Sequence, residues 1–434
     1  MNDATQAPLI TGEIALYDIN RPMALLNARW GNRVNQSPQA KTQWKYTVPH
    51  TLKEALTGAD FVCASIQPGP MEFMGHDLEI PRKYGIVHTV GDTVGPAGLM
   101  RSLRTVVDYQ EIAQAIEKYC PNAWVINFTN PMTVCTRTLY KVFPGMKAFG
   151  CCHEVFGTQQ FLADLVKEFH PGMAPRRDEI NVTVLGVNHF TWITRARYND
   201  IDCIDLMRKK IRQPGAIREI GAQEVAEMSI WDNRKQVTYD LFARYGVLPA
   251  AGDRHLVEFV PFYLRDEPTL NRWGVKVTPY SYRIDYYANV PGKHEARLRD
   301  KKPFELWQSS EEGVKEMLAI LGIGGGFRSN VNLPNVGQVQ GLPMDAVLET
   351  NAYFTKDSVK PEFAGSLPPG ANALVARTVS NQEIIVEAGL RRDKDLAFQA
   401  FLNDSLMSLP TDKAWKMFNE MLRATKACLR GWKL

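Results

Sequence analysis

Several things are scarce in this sequence. Its 434 residues hold seven cysteines, at 63, 120, 135, 151, 152, 203 and 428, an odd number with no paired C-x-x-C spacing. That pattern excludes a disulfide framework and a four-cysteine zinc module, and it fits a reducing compartment in which most thiols pack as small hydrophobes. No apolar run reaches the length of a membrane span, and the start MNDATQAPLITGE lacks the basic and apolar regions of a signal peptide. A cytoplasmic protein with no membrane partner is expected. Excess charge is also lacking: 51 basic against 47 acidic residues leave a net charge of +4. No basic stripe stands out, so a nucleic-acid partner is not expected and small molecules are. Internal repeats and low-complexity tracts are absent.

What is present is a rhythm. Between residues 13 and 152 short apolar runs alternate with helix-like segments: EIALYDI, PMALLNARW, DFVCASI, RTVVDYQEIAQAIEKY, AWVINFT, MTVCTRTLYKVF and KAFGCC. Runs rich in Val, Ile and Phe without polar alternation suit strands buried on both faces of a parallel sheet. The fold class is therefore α/β, with a Rossmann-like domain over residues 1–175 and an α+β substrate domain over 176–434. In the second part, INVTVLGVNHFTWITRARY is predicted as two consecutive strands broken at Asn188 and His189. The run GIGGG follows a helix rather than a strand, which makes it a helix C-terminus before a phosphate cradle.

Strand ends in an open parallel sheet are where ligands gather. Here they carry Asp18, Ser65 with the adjoining Ile66, Asn130 and Cys152. An acidic residue closing the second strand of a dinucleotide fold accepts from the adenosine ribose, although Asp18 alone would equally start a turn into the next helix. The dinucleotide fingerprint requires an earlier strand and a G-x-G-x-x-G turn, and neither occurs ahead of EIALYDI. The expectation is a nucleotide domain without its first strand and glycine loop, from a longer gene product or an inactive form.

Reactive side chains concentrate in three places: Cys152, His153 and Glu154; Asn188 and His189; Asp253, His255 and Glu258. A thiolate and an imidazole from different strands can bind a divalent metal and leave positions open for substrate. Adjacent Cys151 and Cys152 are poor redox partners, because vicinal thiols miss ordinary disulfide geometry. In GDTVGPAGLMRSLRT a glycine-bearing turn precedes Arg101 and Arg104, which could fork onto an anion or lie on a solvated helix face.

Together, DFVCASIQPG, GDTVGPAGLMRSLRT, WVINFTNPM, KAFGCCHEVFG, VLGVNHFTWI and AAGDRHLVEF occur in an order and spacing that resemble the family-4 glycoside hydrolases. The CCHEVFG, NHFTWI and GDRHL segments resemble the branch acting on α-galacturonides. The resemblance implies a lactate-dehydrogenase-like fold, NAD and Mn²⁺ or another divalent ion as cofactors, and a galacturonide oligosaccharide as substrate. It also implies an unusual hydrolysis: hydride removal at C3 of the sugar, loss of the acidified C2 proton, elimination at C1, addition of water and return of the hydride. Matched residue by residue, Cys152 and His189 fall on metal ligands, Asn130 and Asn188 on substrate-contacting amides, His153 on the proton donor to the leaving group and Asp253 on the C2 base. His255 and Glu258 are expected to complete the shell, and Arg254 or Arg101 to face the C6 carboxylate. A homo-oligomer is expected. The alternatives are an α-glucuronidase or α-glucosidase of the same family, a simple 2-hydroxy acid dehydrogenase, or a non-catalytic remnant.

Overall fold

The computed structural model describes every residue except 9 and 301. Among the described residues twelve strands are formed: β1 (Gly12–Ala15), β2 (Trp44–Thr47), β3 (Phe61–Ala64), β4 (Trp124–Asn127), β5 (Lys147–Gly150), β6 (Asn181–Val187), β7 (Phe190–Tyr198), β8 (Ile201–Asp202), β9 (Leu248–Pro249), β10 (Phe327–Pro334), β11 (Val347–Thr355) and β12 (Ser358–Pro361). The main sheet has the order β12-β11-β10-β5-β4-β3. Its β3, β4 and β5 run parallel, joined by helices, as their short apolar runs predict. β10 then attaches antiparallel to β5 at the pair Asn332–Gly150.

The sheet thus takes strands from both sides of residue 175, the expected domain division. Pairing between β5 and a strand some 180 residues later is non-local, and hydrophobic period does not encode it. β1 and β2 pair in parallel as a separate two-stranded sheet.

β6 to β9 form a second, antiparallel sheet. It is tied to the main sheet by the Val184 N–H, which donates to Asn351 Oδ1 at 2.9 Å. The predicted break holds the turn: Val187 pairs with Phe190, so only Asn188 and His189 connect the strands.

The helix Gly95–Tyr119 runs through the core, with Met100, Leu103 and Val106 fully buried. Burying one such side chain stabilises the fold by about 1.5–3 kcal/mol. Its Arg104 does fork onto a carboxylate, but that of Asp77, at 3.0 and 2.5 Å in the interior. No described helix is long and apolar enough to cross a membrane.

Candidate active site

The C-terminal ends of β4 and β5 and the turn after β6 converge on a cavity of about 480 Å³. Asn130, Cys151, Cys152, His153, Glu154 and His189 come from those ends, and the helix Asp253–Phe259 closes the far side with Asp253, Arg254 and His255.

At its floor Asp92, His189 and His255 place one ligand atom each within 4.8 Å of the others. How the chain brings them together can be followed residue by residue. Glu258 takes the N–H groups of Thr89, Val90 and Gly91 on one carboxylate oxygen at 2.8–2.9 Å. This clamp sets the loop from which Asp92 enters the cavity. Gly98 is needed there, because a Cβ would lie 2.4 Å from the Thr93 carbonyl carbon. His189 sits at φ 66°, a backbone region uncommon for a residue with a side chain and often found at functional sites. The Thr93 hydroxyl lies 2.7 Å from Asp92 Oδ1 and 2.9 Å from His189 Nδ1. With Thr93 donating to Asp92, His189 donates from Nδ1 and keeps the lone pair on Nε2, the form a metal ligand takes.

Charge follows from the same neighbours. Burial, reinforced by the stacked ring of His255 at 4.0 Å, lowers the His189 pKa to about 4. For Asp92 burial acts upward, yet the His189 and His255 imidazoles together with the Arg283 and Arg101 guanidiniums outweigh it and hold the carboxyl below its ordinary range. Glu154 behaves alike: burial is outweighed by His255, 3.5 Å away, and by the Gly252 N–H at 2.8 Å. For His255 burial acts downward, but Glu154 and Asp92 win and raise it. Cys152 is different, since burial and then Glu349 and Glu154 push its thiol up.

The expected pair of Cys152 and His189 does share the cavity, but the cluster of mutually close ligand atoms is Asp92, His189 and His255 and leaves Cys152 out. Asp92 escaped sequence reasoning, although it lies in GDTVGP, a segment attended to for its glycines and arginines. Glu258 does not line the cavity; one of its carboxylate oxygens holds the 89–91 loop. Arg101 lies elsewhere. It is buried, donates to Asn130 O at 3.0 Å and Gln67 Oε1 at 3.1 Å, and does not line the cavity.

Arg254 does line it, with its guanidinium 4.8 Å from the Trp231 ring. His153 stands exposed at the rim, and Glu311, 3.2 Å from its Nδ1, raises its pKa. Asp253 accepts from the Val237 and Thr238 N–H groups and the Thr238 hydroxyl at 2.6–3.2 Å; burial raises its pKa. Asn188 donates to Glu349 at 3.1 Å, and the side-chain oxygens of Asn130 and Asn188 are buried with no donor.

At the strand ends outside the cavity, Asp18 is exposed and accepts from the Asn20 N–H at 2.7 Å, so it does begin a turn. One of its oxygens stays free. Ser65 is exposed, and the Ile66 N–H donates to Thr129 at 2.9 Å.

This constellation can be set beside known proteins. The family 4 glycosyl hydrolase profile matches residues 2–168, and that of the family's C-terminal domain matches residues 184–407. The chain belongs to the family 4 glycosyl hydrolases. It is 45% identical to the alpha-galacturonidase of Thermoanaerobacterium saccharolyticum over 100% of this chain and 94% of that one. It is likewise 45% identical to the alpha-galacturonidase of Bacillus subtilis, over 98% and 93% of the two chains. The crystal structure of the B. subtilis protein lplD has 44% identity and a TM-score of 0.90, covering 97% of this chain and 95% of that one. A 6-phospho-alpha-glucosidase from gut microorganisms, solved with NAD and Mn²⁺, shares the fold at 19% identity and a TM-score of 0.78, covering 97% of this chain and 93% of that one.

The donor set here, one carboxylate and two imidazoles, fits a divalent cation with positions left for oxygen ligands. For a dinucleotide, the Asp18 oxygen left without a donor beyond β1 is chemically suited to a ribose hydroxyl.

Proposed function

We propose that this family 4 enzyme hydrolyses α-galacturonides with a nicotinamide dinucleotide and a divalent cation, Mn²⁺ first among the candidates. Full-length identity of 45% to alpha-galacturonidases carries the choice of substrate. The buried Asp92, His189 and His255 cluster supports the chemistry.

Bound together, the two cofactors supply reversible hydride removal at C3 and Lewis-acid polarisation of the sugar oxygens, which makes the C2 proton acidic enough for a side-chain base. The protein's own groups then divide the work. Asp92, His189 and His255 hold the cation, with Cys152 beside them. Asp253 takes the C2 proton; its supporting features are its place in the cavity wall and the burial that makes its carboxylate more basic. Two N–H groups and one hydroxyl fix it in position.

His153 gives its proton to the departing oxygen. Its position at the rim and the Glu311 partner that raises its pKa suit this role. The Asn130 and Asn188 oxygens accept from sugar hydroxyls, and Arg254 faces the carboxylate. Asp18, Ser65, Ile66 and Asn130 line the path of the dinucleotide at the strand ends.

The test is release of an aryl leaving group from an α-galacturonide by the purified protein. Hydrolysis that requires both NAD and a divalent metal is expected. Turnover undiminished by a chelator contradicts the reading.

A further inference from the structure

The cavity's charged groups differ in how fully they are engaged. Glu154 and Asp253 have backbone donors, Asp92 has Thr93, and Glu311 has His153. Of the cations, Lys276 donates to the carbonyls of Ala226 and Met228 at 3.1 and 2.5 Å. Arg254 donates to Thr278 and to the Ile230 carbonyl.

Arg283 also lines the cavity and is half-buried, but among the described residues it has neither a hydrogen bond nor an ion pair. The helix that carries it, Tyr280–Arg299, buries none of its residues, so Arg283 is not held there by the core. It stands close enough to Arg254 to lower that residue's basicity, after burial. Two guanidinium groups face one cavity and repel each other; the nearby Asp92 carboxylate feels the charge of Arg283 but makes no hydrogen bond with it and is engaged by Thr93, so the Arg283 donors stay open to a ligand anion. Planar carboxylate oxygens match the guanidinium fork.

We propose that Arg283, with Arg254 beside it, binds the C6 carboxylate of the sugar and makes the site select a uronide over the corresponding neutral glycoside. The assignment rests on the reading of the site as a uronide hydrolase. It retains Arg254, one of the two alternatives expected from sequence, and adds Arg283, which sequence did not single out.

The experiment compares the wild type with Arg283→Gln and Arg283→Lys, all supplied with NAD and Mn²⁺, on aryl α-galacturonide and aryl α-galactoside, with calorimetric titration of galacturonate alongside. A lost charge-assisted contact is expected to lower kcat/KM on the galacturonide and the galacturonate affinity by about ten- to a hundredfold in Arg283→Gln, mostly through KM, with partial rescue in Arg283→Lys. The preference for acid over alcohol falls by the same factor. Thermal melting should be little changed, since Arg283 makes no hydrogen bond or ion pair among the described residues.

An Arg283→Gln enzyme that keeps the wild-type preference and galacturonate affinity overturns the role of Arg283 and leaves the galacturonide reading standing. A wild type that acts on uronides without regard to the C4 epimer overturns the galacto assignment alone. A wild type that acts only on the neutral glycoside overturns both.

Discussion

Two sets of buried carboxylates flank the Cys151–Cys152 corner, and their neighbours drive them in opposite directions. On the cavity side, Asp92 and Glu154 face the imidazoles of His189 and His255 and are held ionised. On the sheet side, Glu316 and Glu349 face a thiol and amides. Cys151 donates to Glu316 at 3.0 Å, while Asn188 and Asn330 donate to Glu349 at 3.1 and 3.2 Å. Burial is then unopposed by charge, and it pushes the two up to about 8 and about 7. Depth alone makes a carboxyl neutral, and a cationic partner is what keeps it charged. The charged set is where a cation and a reacting sugar can be handled; the other set is scaffolding that holds Asn188 and the strand ends in place.

This contrast can be broken from the cavity side first. Replacing Asp92 by Asn, or His189 by Ala, is expected to lower hydrolysis by about three orders of magnitude or more, because Lewis-acid stabilisation is worth several kcal/mol. Far-UV circular dichroism should stay unchanged. Asp253→Asn tests the base: kcat is expected to fall by about 10²–10⁴ with little change in KM. A variant whose melting temperature drops while its folded fraction turns over normally would make Asp253 only an anchor for the helix Gln236–Tyr245.

Glu154→Gln should act less strongly. Loss of an orienting partner for His255 is expected to cost about 10–100-fold in Mn²⁺ affinity, read by calorimetry.

The sheet side predicts a different signature, in stability and not in rate. The folded pKa of Glu316, about 8, lies above the ordinary 4.5. The folded state therefore holds the proton more tightly. Below about 4.5 both states are protonated and nothing is lost; as pH rises from there toward 8 the folded state is progressively penalised. Glu316→Gln is expected to flatten that slope and to be more stable than wild type near pH 8, by on the order of a few kcal/mol in urea titrations. An identical slope in the variant would remove Glu316 as its source.

How much of this is legible in the sequence depends on range. β3 to β5 and the β6–β7 pair follow from local apolar runs, and the break at Asn188 and His189 is visible as two polar residues between strands. Asn130, Cys152, His153, His189, Asp253 and His255 all line the cavity, while Asn188 lies buried beside His189. Asp92 is hidden because a lone aspartate in a glycine-bearing loop reads as turn chemistry; only the distant Glu258 clamp shows where it points. The same clamp removes Glu258 from the shell. Arg101 and Arg254 are indistinguishable by type, and only their partners separate them. Trp231, Lys276 and Arg283 come from stretches without regular periodicity, so sequence gives them no address. The joining of β10 to β5 is likewise a long-range pairing with no local signal.

The most direct measurement is a calorimetric titration of the protein with Mn²⁺ in parallel with Asp92→Asn, His189→Ala and His255→Ala. One site in the wild type that each of the three variants abolishes or weakens by at least about tenfold is expected. No saturable site in the wild type, or one that all three variants retain at full affinity, would contradict the assignment of these residues to the cation.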